Sequence, residues 1–315
     1  MLRRRTIMQK QASPAYVRGS CIILCYDGNN AYQSFDFGQS WHDTGISAAQ
    51  SSAMSSDGRY RTIIRFTSPR VRTSSDYGQT WANNSQVPSL TLARIAMSDD
   101  GRYQVISSAS GAVYLSVDFG QNWSAIQITS RYYTAVGISS SGEVILLGSI
   151  GGLFLSTDLG QNWQQVASSL TPDFHVYDIA LSGDGSQMHA VGIFPSEGGA
   201  PSSALLQNSG SAWFIAYDVP DESAYDYPPS AGVSNDLQTR VVSSNGLFFR
   251  SIGGGAWSVV RTPVSINRGV HISGDGSFVY ALNNSSIARS SNVGDNWTTL
   301  TLPISANIRS ISINK

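Results

Sequence analysis

Charged residues are scarce in this chain of 315 residues. It has 20 basic and 21 acidic residues, so charged residues make up 13% of it and the formal charge is -1. This balance gives no electrostatic reason to expect a nucleic acid or an anionic membrane as partner. The polar surface must come from Ser, Asn, Gln, Thr and Gly, a composition common on β-rich extracellular and virion proteins.

Cysteine is almost as rare. Cys21 and Cys25 lie in the run CIILC, which is typical of one strand. Alternation places both on one face of that strand, too far apart to bond to each other. We therefore expect small buried thiols. No His or Cys lies near them in sequence, so neither a metal site nor another cofactor is predicted.

Long apolar runs are missing as well. The basic start, Met1–Tyr16, is not followed by the apolar stretch of roughly 7–15 residues that a secretory signal needs. No stretch approaches the ~20 apolar residues of a membrane span. We expect no membrane insertion and no signal peptide in the chain as given. The compartment stays open, and the composition is compatible with a virion or extracellular particle.

All seven tryptophans end a recurring phrase. Four copies keep Ser, Asp, Gly and Trp in fixed register, and three copies are weaker. Successive tryptophans lie 40, 42, 40, 50, 44 and 40 residues apart, a period typical of repeat proteins. The phrases are SFDFGQSW (Ser34–Trp41), SSDYGQTW (Ser74–Trp81), SVDFGQNW (Ser116–Trp123), STDLGQNW (Ser156–Trp163), LQNSGSAW (Leu206–Trp213), RSIGGGAW (Arg250–Trp257) and SSNVGDNW (Ser290–Trp297).

The chemistry of the phrase is that of a turn. Asp and Ser side chains bond nearby backbone N–H groups, and Gly supplies a conformation that other residues reach only at a cost. The indole buries a large apolar area between neighbouring sheets. One carboxylate per turn is a poor calcium site. The residues predicted to have this structural role are Asp36, Asp76, Asp118, Asp158, Asn208, Asn292, Trp41, Trp81, Trp123, Trp163, Trp213, Trp257 and Trp297.

The pattern S-x-D-x-G-x-x-W resembles the Asp-box, or BNR repeat. Proteins with this repeat include sialidases, sortilin-type receptors, xyloglucan-cleaving enzymes and Ycf48-like photosystem assembly factors. The resemblance covers nearly the whole chain and matches no single member. It implies a β-propeller.

A second phrase lies between the boxes, in copies such as SSDGRY (Ser55–Tyr60) and SDDGRY (Ser98–Tyr103). Asp-Gly marks a tight hairpin. Each unit then contains a first strand, the DG turn, two further strands, the box, and a fourth strand that starts at the Trp. Four strands in ~40–45 residues make a propeller blade. The WD40 and kelch signatures do not fit.

The two chain ends complete one blade. NIRSISINK (Asn307–Lys315) matches a first strand, and the segment Arg18–Trp41 matches a second strand, a third strand and a box. The predicted fold is an all-β, seven-bladed β-propeller of four-stranded antiparallel blades. The C-terminal strand joins the N-terminal blade and so closes the ring. We expect residues 17–315 to form the propeller and residues 1–16 an extended arm.

One position in the first strands is nearly always small, because inner strands crowd around the axis. His271 breaks this pattern. It is either a ligand contact in the channel or simply a histidine in a wet channel. The residues at this position are Ala53, Ala96, Gly137, Ala180, Gly232, His271 and Ser312.

Insertions mark the face on which we expect function. The loop Ile193–Ala204 and the entry segment Ala216–Ala231 lie on the face where fourth strands lead into first strands. Aromatic residues beside acids suit a protein or glycan contact, and a Pro-rich excursion without function fits equally well. The predicted binding face comprises Tyr217, Asp221, Glu222, Tyr225, Asp226, Tyr227, Arg94, Arg268, Arg309 and His271.

The arginines of this face, with Arg65 and Arg70, are also placed to clamp a carboxylate as in sialidases. The sialidases that the repeat resembles are six-bladed and usually carry an Arg-Ile-Pro motif, and neither feature occurs here. Xyloglucanase-type relatives use carboxylates between two propellers. No catalytic residue is therefore assigned. Asp178 and Glu222 are the carboxylates to test for hydrolysis.

These features favour a non-catalytic scaffold that mediates protein–protein assembly, for example as a structural component of a virion or other large particle. The resemblance to Ycf48-like factors implies the same class of role. A glycan-binding, lectin-like module is the alternative, and a glycoside hydrolase or sialidase is a less favoured one.

Overall fold

The computed structural model describes residues 22–68, 70–88, 90–129, 131–168, 174–194, 202–209, 212–220, 229–236, 238–244 and 246–314. These residues form seven antiparallel sheets of four strands, and no helix occurs among them. Each sheet is one blade. The seven-bladed, all-β architecture predicted from the repeat is thereby confirmed.

The first four blades follow the chain in order. Blade 1 begins with β1 (Ile22–Tyr26), β2 (Asn30–Ser34) and β3 (His42–Ser47). Blade 2 consists of β4 (Ala49–Met54), β5 (Arg61–Arg65), β6 (Val71–Ser74) and β7 (Ala82–Asn84). Blade 3 consists of β8 (Arg94–Met97), β9 (Gln104–Ser107), β10 (Val113–Ser116) and β11 (Ser124–Ala125). Blade 4 consists of β12 (Tyr133–Ile138), β13 (Ile145–Ser149), β14 (Gly152–Ser156) and β15 (Gln164–Val166).

The remaining blades continue the same order. Blade 5 consists of β16 (His175–Leu181), β17 (Met188–Phe194), β18 (Ser202–Ser209) and β19 (Ala212–Pro220). Blade 6 consists of β20 (Ser230–Val233), β21 (Thr239–Ser244), β22 (Leu247–Ile252) and β23 (Ser258–Val260). Blade 7 consists of β24 (Gly269–Ile272), β25 (Val279–Leu282), β26 (Ile287–Ser290) and β27 (Thr298–Thr299).

The last strand, β28 (Ile308–Ile313), closes the ring. It pairs with β1 in antiparallel register, with Ile23 opposite Ser312, and becomes the innermost strand of blade 1. Each inner strand contacts that of the next blade, and β24 contacts β28. The closure predicted from the two chain ends is confirmed.

The core lies between the blades. Seven apolar clusters occur among the described residues, one at each contact between neighbouring blades, and each cluster contains one box tryptophan. The cluster between blades 5 and 6 is the smallest, with five buried residues, whereas that between blades 4 and 5 has 11. Among the described residues, apolar burial at roughly 25 cal/mol per Å² therefore contributes least to the contact between blades 5 and 6.

The first box is a turn held by Asp36. Its carboxylate accepts from the backbone N–H of Ser40 and from the hydroxyl of Ser34, both at 2.8 Å. Burial alone would raise the pKa of Asp36, but these hydrogen bonds outweigh it and lower the pKa. Phe37 has a φ of 59°, in the left-handed region. The same hydrogen bond, from the backbone N–H four residues later to the side-chain oxygen, recurs at Asp76, Asp118, Asp158 and Asn292.

The fifth and sixth boxes have a different structure. In blade 5, Leu206 replaces the serine, and Asn208 continues β18 opposite Trp213. Residues 210 and 211 of this box lie outside the described residues, so the turn-holding role of Asn208 stays a prediction. In blade 6, Gly253 and Gly254 have φ values of 60° and 74°. They lie in a turn in which the N–H of Gly255 donates to the carbonyl of Ile252 at 3.0 Å.

Candidate functional site

The inner strands surround a central channel of about 510 Å³. All seven residues of the crowded position in the first strands line it, from Ala53 to Ser312. His271 is one of them. Burial lowers the pKa of His271 to about 4, so its imidazole is neutral at pH 7.

Four charged residues gather at the end of the channel where the inner strands begin, which we call the entrance. Backbone bulges at Tyr177 in β16 and at Arg309 in β28 interrupt the strand pairing there, and bulges re-aim side chains. Arg94 opens β8, and Arg268 directly precedes β24. Arg94, Asp178, Arg268 and Arg309 thus come together from blades 3, 5, 7 and 1.

Asp178 joins two blades and lies close to Arg94. Its carboxylate accepts from the backbone N–H of Ile179 at 2.9 Å and from that of Ala231, in blade 6, at 3.1 Å. Burial raises the pKa of Asp178 to about 6 despite these bonds and the nearby guanidinium. Arg94 is exposed to the channel but surrounded by protein. This desolvation lowers its pKa, and Asp178 acts in the opposite direction.

The other two arginines differ in their partners. Arg309 forms an ion pair with Asp27 and lies over the ring of Phe66, 4.4 Å from its centre. The Nε of Arg268 donates to the side-chain oxygen of Asn284 at 2.6 Å. In the described part of the chain, ion pairs are formed by Arg250 and Arg309. Arg94 and Arg268 therefore keep charges that no described carboxylate contacts directly.

The entrance consequently favours an anionic group. Among the described residues of the entrance, three guanidinium groups face the carboxylates of Asp27 and Asp178, which leaves an excess of one positive charge in this set. The planar donors of arginine match carboxylate and phosphate oxygens. Solvent and salt screen such charges less in a mouth lined by protein than on an open surface.

Exposed apolar side chains lie beside the arginines. Leu92, Tyr132 and Ile150 are 42%, 44% and 43% exposed, and we call them the apolar arc. They belong to the entrance side of blades 3 and 4, and Tyr132 lies near enough to Arg94 to affect its pKa. Aromatic and apolar side chains next to arginine are typical of protein contact surfaces.

Solved structures share this architecture. The GH74 xyloglucanase of Xanthomonas campestris superimposes with a TM-score of 0.69 and 15% identity, over 95% of this chain and 53% of that one. YCF48 from Cyanidioschyzon merolae superimposes with a TM-score of 0.56 and 15% identity, over 83% of this chain and 86% of that one. YCF48 bound to a D1 peptide superimposes with a TM-score of 0.54 and 16% identity, over 80% of this chain and 82% of that one.

The chain has the fold of these propellers. It spans about half the length of the xyloglucanase. No family model matches the chain, and no curated protein matches it. The structural likenesses confirm the resemblance to the propeller superfamily at the level of fold, with no single member matched.

The predicted binding residues of this propeller fall into three groups. Arg94, Arg268, Arg309 and His271 all line the channel. Tyr217 pairs with Leu205 in the hairpin of β18 and β19. The other predicted residues lie outside the described residues, and they are Asp221, Glu222, Tyr225, Asp226 and Tyr227.

Two further arginines hold a loop rather than line the channel. Arg65 donates to the carbonyl of Ser47 at 2.8 Å, and Arg70 donates to that of Phe66. Sequence reasoning missed the apolar arc entirely. In the sequence its members are ordinary apolar residues next to strands, and no sequence signal marks them as exposed. They are Leu92, Tyr132 and Ile150.

The candidate metal ligands of the described residues are His, Cys, Asp and Glu side chains, and their thiol is that of Cys25. Among them, no group of three or more His, Cys, Asp or Glu side chains could hold a metal ion. Cys25 is fully buried and forms no disulfide, and burial raises the pKa of its thiol. Cys21 lies outside the described residues. Within that described part, no helix is long and apolar enough to cross a membrane.

Proposed function

We propose that this propeller is a non-catalytic scaffold that docks a partner protein on its entrance. The observation that carries the proposal is Arg94, whose guanidinium lies at the channel mouth on the side of the apolar arc, with no direct carboxylate partner among the described residues. A partner segment would present a carboxylate to Arg94 and Arg268 and apolar side chains to the arc. In one version of this proposal, the assembly is a virion or another large particle.

Two observations support this role. A propeller of the same fold, YCF48, is known with a bound D1 peptide. In this chain, five of the seven boxes use their Asp or Asn side chain for internal turn bonds. At the entrance, by contrast, Arg94 and Arg268 have no direct carboxylate partner among the described residues.

Charge reversal at the entrance tests the proposal. We expect Arg94→Glu combined with Arg268→Glu to abolish capture of a stoichiometric protein partner from the native source, measured by mass spectrometry. The reason is that two carboxylates would then face the anionic group of the partner. Titration of the identified partner against the purified variants would give the loss in affinity.

Arg59→Glu is the matched control. Arg59 is an exposed arginine at a DG turn, at the other end of the channel. Capture that survives the double reversal, or that Arg59→Glu removes equally, would refute docking at the entrance.

A carbohydrate-directed function is the second candidate, and Asp178 favours it. A carboxyl with a pKa of about 6 suits a general acid, and the GH74 xyloglucanase shares the fold. Hydrolysis by two carboxylates needs a second acid, and Asp178 is the one carboxylate among the described residues lining the channel. Turnover of fluorogenic glycosides that Asp178→Asn removes would replace the scaffold proposal. Glycan-array binding without turnover would favour a lectin-like module.

A further inference from the structure

The outermost strand of blade 5, β19 (Ala212–Pro220), differs from the outer strands of the other blades. It has nine residues, whereas the others have two to six. The sheet order of blade 5 ends with β19, so no described strand pairs with its outer side. An open edge of this kind presents unpaired backbone N–H and C=O groups, which form a template for a further strand.

Apolar side chains are exposed at this edge. Phe214 and Ile215 are 42% and 43% exposed, and Val259, in the outer strand of blade 6, is 59% exposed. We call these three residues the rim patch. Phe214 and Ile215 directly follow the box tryptophan, and the same two positions carry small or polar residues in the blades other than 5 and 6. These residues are His42 and Asp43, Ala82 and Asn83, Ser124 and Ala125, Gln164 and Gln165, and Thr298 and Thr299.

Phe214 and Val259 lie on facing sides of blades 5 and 6. Phe214 pairs with Gln207, whose side chain accepts a hydrogen bond from Arg240 of blade 6. Val259 pairs with Phe249, which belongs to the apolar cluster between these two blades. Because directly opposite residues of a sheet share a face, both side chains extend this cluster outward to the rim of the propeller.

The devices that usually prevent strand pairing are few at this edge. Natural edge strands are blunted by charged side chains, by proline, by bulges or by very short length. Residues 202–217 contain no charged residue, and the first proline of β19 is Pro220. A shift in register with β18 places a bulge at Ala216. The regular, uncharged part of the edge is therefore Ala212–Ile215.

We propose that two copies of this chain associate edge to edge through β19, with the rim patch in the interface. Two identical strands that pair antiparallel are related by a two-fold axis, so the same surface serves both copies and the assembly closes as a dimer. Since residues 202–217 carry no charge, this symmetric contact brings no like charges together in the paired segment. The formal charge of -1 on the whole chain adds little repulsion between the copies.

Alternation determines the register of such a pair. Directly opposite residues share a face, so the two-fold axis passes through a residue and not between two residues. Within Ala212–Ile215, the register centred on Phe214 places both exposed residues opposite a large apolar one. The two Phe214 rings then meet on the side that faces blade 6. On the other side, Ile215 lies opposite the second copy's Trp213, which packs partly buried against the cluster between blades 4 and 5.

The size of the contact indicates a weak dimer. The rim patch exposes on the order of 250 Å² per copy, because a large apolar side chain covers roughly 150–250 Å². Two copies therefore bury about 500 Å² from these side chains besides the paired backbone, which is less than the ~1,200 Å² of a standard interface. We expect a dissociation constant of about 10–100 µM.

A symmetric disulfide tests the contact directly. Opposite Cα atoms of an antiparallel pair lie about 4.5–5.5 Å apart, which suits a disulfide. We expect Phe214→Cys to form a disulfide-linked dimer under mild oxidation, seen on a non-reducing gel. Gln164→Cys is the matched control, since Gln164 has the same position in blade 4 and the variant keeps the same native cysteines. An absent cross-link, or one equally strong in Gln164→Cys, would refute pairing at this edge.

Sedimentation equilibrium measures the strength of the association. The wild-type chain should be monomeric at about 1 µM and mainly dimeric at about 1 mM, as a dissociation constant in the expected range requires. Ile215→Lys should weaken the association by about tenfold or more, because an edge lysine prevents strand pairing. Gln165→Lys, at the same position of blade 4, should leave it unchanged. Thermal unfolding of both variants shows whether they are folded.

Dimerisation at the rim is independent of docking at the entrance. Arg94→Glu combined with Arg268→Glu should sediment as the wild type does, and Ile215→Lys should keep the capture of a partner protein. The failure of one proposal is thereby distinguishable from the failure of the other. A wild-type chain that stays monomeric up to about 1 mM, or association that both lysine variants retain undiminished, would overturn the dimer.

Discussion

At the scale of single residues, the box carboxylate determines the local structure. Asp118 accepts from the backbone N–H of Asn122 at 2.8 Å, from its amide at 2.6 Å and from the hydroxyl of Ser116 at 2.9 Å. These bonds keep Phe119 at a φ of 63°, which costs a residue with a side chain about 1–2 kcal/mol. The seventh box achieves the same turn with the amide oxygen of Asn292.

This comparison within the chain yields a prediction for Asp118. We expect Asp118→Ala to lower the free energy of unfolding by about 1 kcal/mol, because the turn loses its side-chain acceptor as a helix loses its N-cap. Asp118→Asn should lower the free energy of unfolding by less than half of that amount, since Asn292 shows that an amide oxygen can accept the hydrogen bond from the backbone N–H. Denaturant unfolding of the three proteins measures the difference. Equal losses for Ala and Asn would mean that the charge, not the acceptor, matters.

At the scale of the element, the DG hairpins interlock neighbouring blades. The N–H of Ser56 donates to the carbonyl of Asp99 at 2.8 Å, and that of Asp99 donates to the carbonyl of Ser140 at 3.1 Å. Gly101 packs under the side chain of Tyr60 in the preceding blade. The turn glycine therefore serves both the positive φ of its own hairpin and the contact with the preceding blade.

Two glycine substitutions separate these roles. Gly101→Ala should cost about 3 kcal/mol of stability, because the residue has a φ of 81° and its new β-carbon would lie 2.6 Å from Tyr60. Gly28→Ala should cost about 1 kcal/mol, since its φ of 69° is similar and nothing lies within 4 Å. Thermal or denaturant unfolding gives both values. If Gly28→Ala lost as much stability as Gly101→Ala, the positive φ alone, and not the contact with Tyr60, would determine the loss.

At the scale of the whole molecule, ring closure joins the two ends of the chain. All five residues of β1 are buried, and β28 covers the edge of that strand. The cluster between blades 7 and 1 includes Ile308 and Ile311 from β28 together with Tyr280 from blade 7. The seventh contact between blades therefore depends on the last residues of the chain.

Removal of residues 308–315 should destabilise every blade, not only the first. Loss of Ile308 and Ile311 alone removes about 1.5–3 kcal/mol of apolar burial each, and the edge of β1 is exposed. We expect a lower Tm and a broadened transition by calorimetry, with faster hydrogen exchange in blade 7 as well as blade 1. Removal of Lys315 alone, which leaves β28 intact, is the control. An unchanged Tm after the longer deletion would show that the blades are stable without closure.

The sequence by itself determined the number of blades, their order and the strand that closes the ring. These features follow from local chemistry, because turn residues and tryptophans repeat at fixed spacing along the chain. The tertiary structure alone decided which side chains meet. Arg94 and Asp178 are neighbours only because the ring brings blades 3 and 5 to one channel, and bulges set their direction.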